Sequence, residues 1–384
     1  MNFLKILFIE PYDGGSHRAF REGLLNHSRH VIDCLTLPPR FWKWRMRGAA
    51  VHFADLINRS DREVCDLIVA TDFLNLADFK GLLRPPWDRI PTLLYFHENQ
   101  LTYPLSPAEE FDFHFGFTNI ISALAADWLV FNSDYHQDLF LDSLPAYLAR
   151  MPEAVPKGVR QRLAAKSSVL PVGLEREPHS ATAFAPYLGA PCVTAASPAW
   201  PRDGKLPTLL WNHRWEFDKR PDMFASVMDR LSQEGVSYQL LLLGDPRGHM
   251  EQFATLRRRL GSRCLAYGHV PERSQYERWM RRADIVVSCA EQEYFGIAVA
   301  EAVHAGAYAV LPRRQVYPSL YGQHCRGPHF YDDEDGLLDL LRQLLTSEEC
   351  GHVCSLPLDC DRFCWSRLVA TYDDLFQRVA NRER

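Results

Sequence analysis

The chain has no apolar run approaching the roughly 18 residues that a membrane-crossing helix needs, which excludes a helical membrane span. It has little charge imbalance either: 43 Lys+Arg against 48 Asp+Glu leave a formal net charge of -5. That balance announces neither a nucleic-acid binder nor a membrane-surface protein, although whole-chain charge averages over both faces and leaves room for a local basic patch. The N-terminus, MNFLKILFIEPYDGG, lacks the h-region length and small-residue cleavage site of a signal peptide. It reads as a first buried strand, and the chain as cytoplasmic. The 10 cysteines do not suggest a disulfide scaffold in a chain of 384 residues. Cys34, Cys65 and Cys289 stand singly in strand-like runs, where cysteine behaves as a small apolar residue. Cys350, Cys354, Cys360 and Cys364 cluster around His352. Their spacing is not the paired C-x-x-C of common zinc sites, so reduced thiols are the favoured reading and zinc stays open.

What is present is apolar material for two cores, with 47% hydrophobic and 24% charged residues, at a length for which two domains are the default. Short apolar runs alternate with amphipathic segments, the βαβ pattern of parallel sheets. The expected strands of the first half are Phe3–Ile9, His30–Leu37, Leu67–Ala70, Thr92–Phe96, Trp128–Phe131 and Ser168–Pro171. A stretch rich in Pro, Ala and Ser, including APYLGAPCVTAASPAWP, then breaks the pattern as a linker would. Strand signals resume at Thr208–Trp211, Gln239–Leu243, Arg263–Tyr267, Asp284–Ser288 and Ala307–Leu311. The fold class is therefore α/β: two Rossmann-like, doubly wound domains expected to face a central cleft. Residues 1–180 form the first domain, 181–206 the linker and 207–364 the second. A final helix over about 365–384 is expected to pack back on the first.

The most informative stretch runs from Glu291 to Pro312. A buried strand ends just before it, Glu293 lies in the following loop, and a helix is expected from near Gly296 to about His304. Backbone N–H groups at such a helix start form an anion site, so the amides near Gly296 and Ile297 suit a diphosphate. Glu301 lies one turn beyond Ile297 on the same face, placed to accept hydrogen bonds from a ribose diol. Glu293 would sit nearer the sugar.

The run E-Y-F-G-I-A-V-A-E-A resembles the E-x7-E motif of retaining glycosyltransferases with the GT-B fold. The resemblance extends to Tyr267-Gly-His-Val-Pro-Glu, similar to the loop near the donor base, and to Leu170-Pro-Val-Gly, similar to the strand end before the interdomain linker. It implies that Arg214 and Lys219, in NHRWEFDKRPD, are the family's basic pair, whose charges would neutralise the leaving diphosphate. His213 stands where the pattern often has Gly, and Arg220-Pro replaces Lys-Gly, so the local loop geometry is expected to differ. The resemblance also implies that the second domain binds a nucleotide sugar and the first the acceptor.

The N-terminal half resembles a narrower family, the tRNA-queuosine mannosyltransferases, which mannosylate the queuine ring in the anticodon of aspartate tRNA. EPYDGGSHRAF, TDFLNLADF, LLYFHENQLTYP and DFHFGFTNIISALAAD carry that likeness over about the first 140 residues. It implies transfer of mannose from GDP-mannose to queuosine with retention, without a cofactor and without a metal. Gly14 and Gly15 would let the backbone approach a phosphate. His97 would contact the donor sugar, and Asp72, Asn75, Glu98 and Asn99 would serve the acceptor. A tRNA partner needs a basic, aromatic surface. Arg40-Phe-Trp-Lys-Trp-Arg-Met-Arg, which includes Arg45, interleaves cations with tryptophans, and Lys157–Lys166 and Arg257–Arg259 are further basic stretches. Three alternatives stay open: a GT-B transferase with another acceptor, a nucleotide-sugar 2-epimerase-like isomerase, and a noncatalytic nucleotide-sugar or tRNA binder.

Overall fold

Strands and helices alternate along almost the whole chain, because the continuous apolar runs are sandwiched between amphipathic segments. The computed structural model describes residues 3–106, 109–179, 205–246, 251–322, 328–346 and 356–382. In chain order the elements are β1 (Lys5–Glu10), α1 (Gly15–His27), β2 (Val31–Thr36), α2 (Trp42–Asn58), β3 (Leu67–Thr71), α3 (Leu76–Leu82), β4 (Thr92–Phe96), α4 (Phe113–Ala125), β5 (Trp128–Phe131), α5 (Asp134–Leu148), α6 (Val159–Ala164) and β6 (Ser167–Val169). They continue as β7 (Thr208–Trp211), α7 (Pro221–Gln233), β8 (Gln239–Leu243), α8 (Glu251–Leu260), β9 (Cys264–Gly268), α9 (Arg273–Arg282), β10 (Ile285–Val287), α10 (Ile297–His304), β11 (Tyr308–Pro312), α11 (Tyr317–Tyr321), β12 (Phe330–Tyr331), α12 (Glu334–Thr346), α13 (Leu356–Asp359) and α14 (Trp365–Ala380). Two units share them: Met1–Arg176 with Phe363–Arg384, and Glu177–Arg362.

The first unit is built on a parallel sheet of strand order β2-β1-β3-β4-β5-β6. β3 and β4 are buried from end to end, as parallel strands covered by helices on both faces must be. The strand order reverses direction at β1 and β3, and the carboxyl ends of strands at such a switch point open the crevice where α/β sheets bind ligands. Glu10, Asp72 and His97 stand at or just past the ends of β1, β3 and β4.

The last helix, α14, belongs to this first unit. Leu174 and Cys364 form a parallel bridge that starts it. Its Trp365 ring fills the space beside two glycines: a Cβ on Gly23 would lie 1.9 Å from Trp365 Nε1, and one on Gly173 2.3 Å from the ring. Gly173 is the glycine of the Leu170-Pro-Val-Gly run, so that run packs against an indole. The Tyr372 hydroxyl donates to the carbonyls of Leu170 (3.0 Å) and Pro171 (2.8 Å). Asp373 accepts from the Arg29 amide (3.1 Å) and the Ser28 hydroxyl (2.5 Å).

The second unit carries a parallel sheet of order β12-β11-β10-β7-β8-β9, with its switch point between β10 and β7. Trp211, Phe224 and Phe253 anchor its core. β12 is two residues long and escapes a reading of apolar runs. Most of the expected linker, together with Cys350, Cys354 and His352, lies outside the described residues. Cys360 and Cys364 are buried. Among the described residues, no helix is long and apolar enough to cross a membrane.

Candidate functional site

In the first unit, the sequence EPYDGGSH turns the chain sharply from β1 into α1. Gly14 is the N-cap in an extended conformation, and a Cβ there would meet Pro39 at 2.5 Å; Gly15 follows at φ +55°. Both positions therefore require glycine, one for space and one for backbone conformation. The turn places His17 in the first turn of α1, where its Nδ1 meets Glu10 Oε2 at 3.1 Å. Glu10 also accepts from the Thr71 hydroxyl (3.0 Å) and the Tyr12 amide (2.8 Å). Burial alone would lower the His17 pKa, but the charge and hydrogen bond of Glu10 override it and raise it to about 9. His17 is thus an imidazolium at neutral pH.

His97 lies against it, with ring centroids 4.0 Å apart. Burial and the neighbouring cation at His17 hold the His97 pKa well below the ordinary value, so this ring is neutral. Neither of its ring nitrogens has a hydrogen-bond partner among the described residues, although both are buried. An imidazole without partners in a buried position is costly. A ligand hydroxyl that donates to one nitrogen or accepts from the other would relieve that cost. The His97 main chain is fixed on both sides: its amide donates to Asp72 Oδ1 (2.9 Å) and its carbonyl accepts from Asn132 (2.9 Å).

Three acceptor-side candidates make hydrogen bonds within the unit. Asp72 is buried and pins the His97 amide; burial raises its pKa. Asn75 is the N-cap of α3, with its side-chain oxygen accepting from the Asp78 amide (3.2 Å). Asn99 is buried and organises the next turn by accepting from the amides of Leu101 (3.0 Å) and Thr102 (3.1 Å). Asparagine and aspartate at strand ends serve caps and turns as readily as ligands. Glu98, by contrast, is partly exposed and is held by the Gln100 side chain (2.9 Å). Arg45 is partly exposed and donates to the Pro38 carbonyl (3.2 Å).

The start of α2 adjoins this cluster through aromatic contacts. Trp42 packs on Phe73 (6.2 Å between centroids), and Phe73 stacks on His17 (5.4 Å). Phe41, the N-cap of α2, holds a left-handed conformation at φ 56° and is 71% exposed; Trp44 is 65% exposed. Positive φ in a bulky non-glycine residue is a local strain that marks functional surfaces more often than ordinary ones. Arg40 lies over the Phe41 ring (5.8 Å) and Lys43 over Trp42 (5.4 Å). In the other two basic stretches several cations are engaged within the fold. Lys166 donates to the carbonyls of Leu124 and Ala126, and burial lowers its pKa to about 8. Arg258 pairs with Glu251 (2.7 Å) and Arg259 with Asp229 (2.7 Å).

In the second unit, the ends of β7 and β10 bring the basic pair and the E-x7-E run together. Lys219 is buried; its ammonium donates to the Gln292 carbonyl (2.6 Å) and pairs with Glu293 (3.2 Å) and Asp218 (3.2 Å). Burial opposes the charge, but Glu293 and Asp218 outweigh it and raise the pKa, so Lys219 is cationic. Arg214 is half-exposed and pairs with Glu216 (3.1 Å). Gly296 is the N-cap of α10 at φ 80°, and no side chain caps the helix among the described residues. That leaves the first-turn amides, from Ile297 on, as anion donors. One turn along, Glu301 accepts from Arg273 (2.6 Å), a partner the sequence did not single out because it reads as an ordinary helix-start cation. Asn212 joins β7 to this helix by donating to the Ala298 carbonyl (2.8 Å).

Each unit is a Rossmann-like layer structure, and solved structures share the succession of the two. Sucrose-phosphate synthase from Thermosynechococcus elongatus superposes with a TM-score of 0.67 at 16% identity, covering 98% of this chain and 99% of that one. The HepE protein of Anabaena, in complex with UDP and glucose, gives 0.61 at 15% identity, covering 99% and 100%. The architecture is that of the GT-B glycosyltransferases. At the level of sequence, the N-terminal model of the tRNA-queuosine alpha-mannosyltransferases matches residues 5–174, and the group 1 glycosyl transferase model matches 194–355. A tRNA-queuosine alpha-mannosyltransferase of Drosophila melanogaster is 33% identical over 393 residues, covering 97% of this chain and 96% of its own length. The chain belongs to the tRNA-queuosine alpha-mannosyltransferase family.

Proposed function

We propose that this protein transfers an α-mannosyl group from GDP-mannose to queuosine in the anticodon of aspartate tRNA, with retention, in the cytoplasm. Membership of the family supports the reaction; the observation that carries the mechanism is the Lys219–Glu293 pair beside the uncapped start of α10. In this reading the first-turn amides, Lys219 and Arg214 receive the diphosphate, whose charge grows as the glycosidic bond breaks. They act without a metal. Glu293, held by Lys219, accepts from sugar hydroxyls, and Glu301, oriented by Arg273, accepts from the ribose. The acceptor hydroxyl attacks the anomeric carbon on the face that the phosphate leaves, and the departing phosphate oxygen takes its proton. On the first unit, neutral His97 meets a donor-sugar hydroxyl, the Gly14–Gly15 turn offers amides to a phosphate, and Glu98 and Arg45 serve the acceptor.

The α2 start supports a tRNA partner. Exposed Phe41 and Trp44 are sized for bases and flanked by Arg40 and Lys43, the combination that holds unstacked nucleotides. The deciding assay offers radiolabelled GDP-mannose with queuosine-containing tRNA, and in parallel the same tRNA lacking queuosine. Label on the modified tRNA alone is expected. Turnover of the donor with label on neither tRNA would overturn the acceptor, and no turnover would overturn the donor.

A further inference from the structure

A cluster in the second unit, made of residues not used above, has the composition of a metal site. His179, His304 and Asp361 each offer one ligand atom, and these atoms lie within 4.8 Å of one another. His179 Nδ1 is 2.7 Å from Asp361 Oδ1, and His304 Nε2 is 3.2 Å from the same oxygen. The imidazoles face each other with centroids 4.4 Å apart. Asp361 is further fixed by the His179 amide, which donates to Oδ2 (3.0 Å). His304 and Asp361 are buried, and His179 is largely so. Donors bound at about 2.1 Å around a tetrahedral zinc ion stand about 3.4 Å apart, so these side chains need only a small outward shift to admit one. Two imidazoles and a carboxylate form a set that suits zinc among the divalent metals, with a fourth position for water.

The positions of the three residues give such an ion a structural consequence. His179 follows the point where the chain enters the second unit, at Glu177, and Asp361 precedes the point where it leaves, at Arg362. His304 ends α10. We propose that His179, His304 and Asp361 bind a divalent transition metal, with zinc as the natural occupant, and that the ion clasps the entry and exit segments of the second unit to the C-terminal end of α10. Cys360 and Cys364 flank Asp361 in the chain, and among the described residues the three ligands of this group are His179, His304 and Asp361.

The test is metal content, which does not depend on mannosyl transfer. The full chain, stripped by chelator and dialysed against zinc, is assayed by mass spectrometry of the metal and by thermal melting with and without zinc. One tightly held zinc per chain and a melting temperature raised by several degrees are expected. His304→Gln and Asp361→Asn should each weaken zinc binding at least tenfold and abolish the thermal shift, while Cys360→Ser should change neither. Zinc uptake by wild type no greater than by His304→Gln would overturn the site, leaving the cluster a hydrogen-bonded network. Loss of zinc in Cys360→Ser with retention in His304→Gln would overturn it in favour of thiolates. If Asp361→Asn fails to fold by circular dichroism, His304→Gln and His179→Gln decide.

Discussion

Lys219 and Glu293 form a pair whose two members differ in what they hold up. Glu293 is partly exposed at 18% of its side chain, so Glu293→Gln keeps the shape and removes a charge. Mannosyl transfer should fall about 10²- to 10³-fold, the loss typical of one electrostatic contact at a reacting centre, while thermal melting stays nearly unchanged. Lys219→Ala is different, because it removes the cation beside the Asp218 carboxylate, which is 1% exposed. It should abolish transfer and also lower stability by about 3 kcal/mol, read by denaturant titration. The His17–Glu10 pair adds a pH dependence. The folded His17 pKa is raised to about 9 from an ordinary 6.5, so protonated His17 stabilises the fold fully below pH 6.5 and progressively less up to pH 9. Melting temperature should therefore decline across that window, and His17→Gln should flatten the decline. An equal slope in both proteins would remove the imidazolium from the account.

The start of α2 and the start of α10 show how much function an element end carries. Phe41 and Trp44 are exposed and contribute little to the core, so Phe41→Ala and Trp44→Ala should leave the fold and the hydrolysis of GDP-mannose in the absence of tRNA unaltered. Each should weaken tRNA binding by about 1–3 kcal/mol, roughly 5- to 150-fold, as loss of a base-stacking surface does. Filter binding at fixed salt measures this, and unchanged affinity in the double variant would remove α2 from the RNA interface. At α10, Gly296→Ala would force a side chain into φ 80° and set its Cβ 3.2 Å from Glu293 Cγ and 3.3 Å from the Tyr317 ring. Strain of about 1–2 kcal/mol and a displaced Glu293 should lower transfer more than stability.

For the molecule as a whole, α14 returns the end of the chain to the unit that contains its start. Trp365 is 1% exposed against Gly23 and Gly173, with Phe20 and Tyr372 around it. Trp365→Ala should cost about 3–5 kcal/mol, the range for emptying a buried aromatic position, seen as a large fall in melting temperature. Gly23→Ala should be similarly damaging from the other side, since its new methyl would lie 1.9 Å from Trp365 Nε1. Little change in either variant would show that α14 is dispensable to the first unit.

The apolar runs determined the strands, since a parallel strand buried on both faces must be written as a continuous run. β3, β4, β7, β10 and β11 are all of this kind. The glycine-bounded helix after Glu293 was equally legible, because a helix start without a capping side chain and with glycine at positive φ leaves a sequence mark. Two-residue β12 left none. The hydrogen bonds that Asp72, Asn75 and Asn99 make within the unit were not legible, because the same side chains serve ligands, caps and turns. Above all, the Glu10–His17–His97 cluster and the His179–His304–Asp361 cluster exist only in the fold. Each gathers residues that lie far apart along the chain, and burial together, not spacing along the chain, gives them their chemistry.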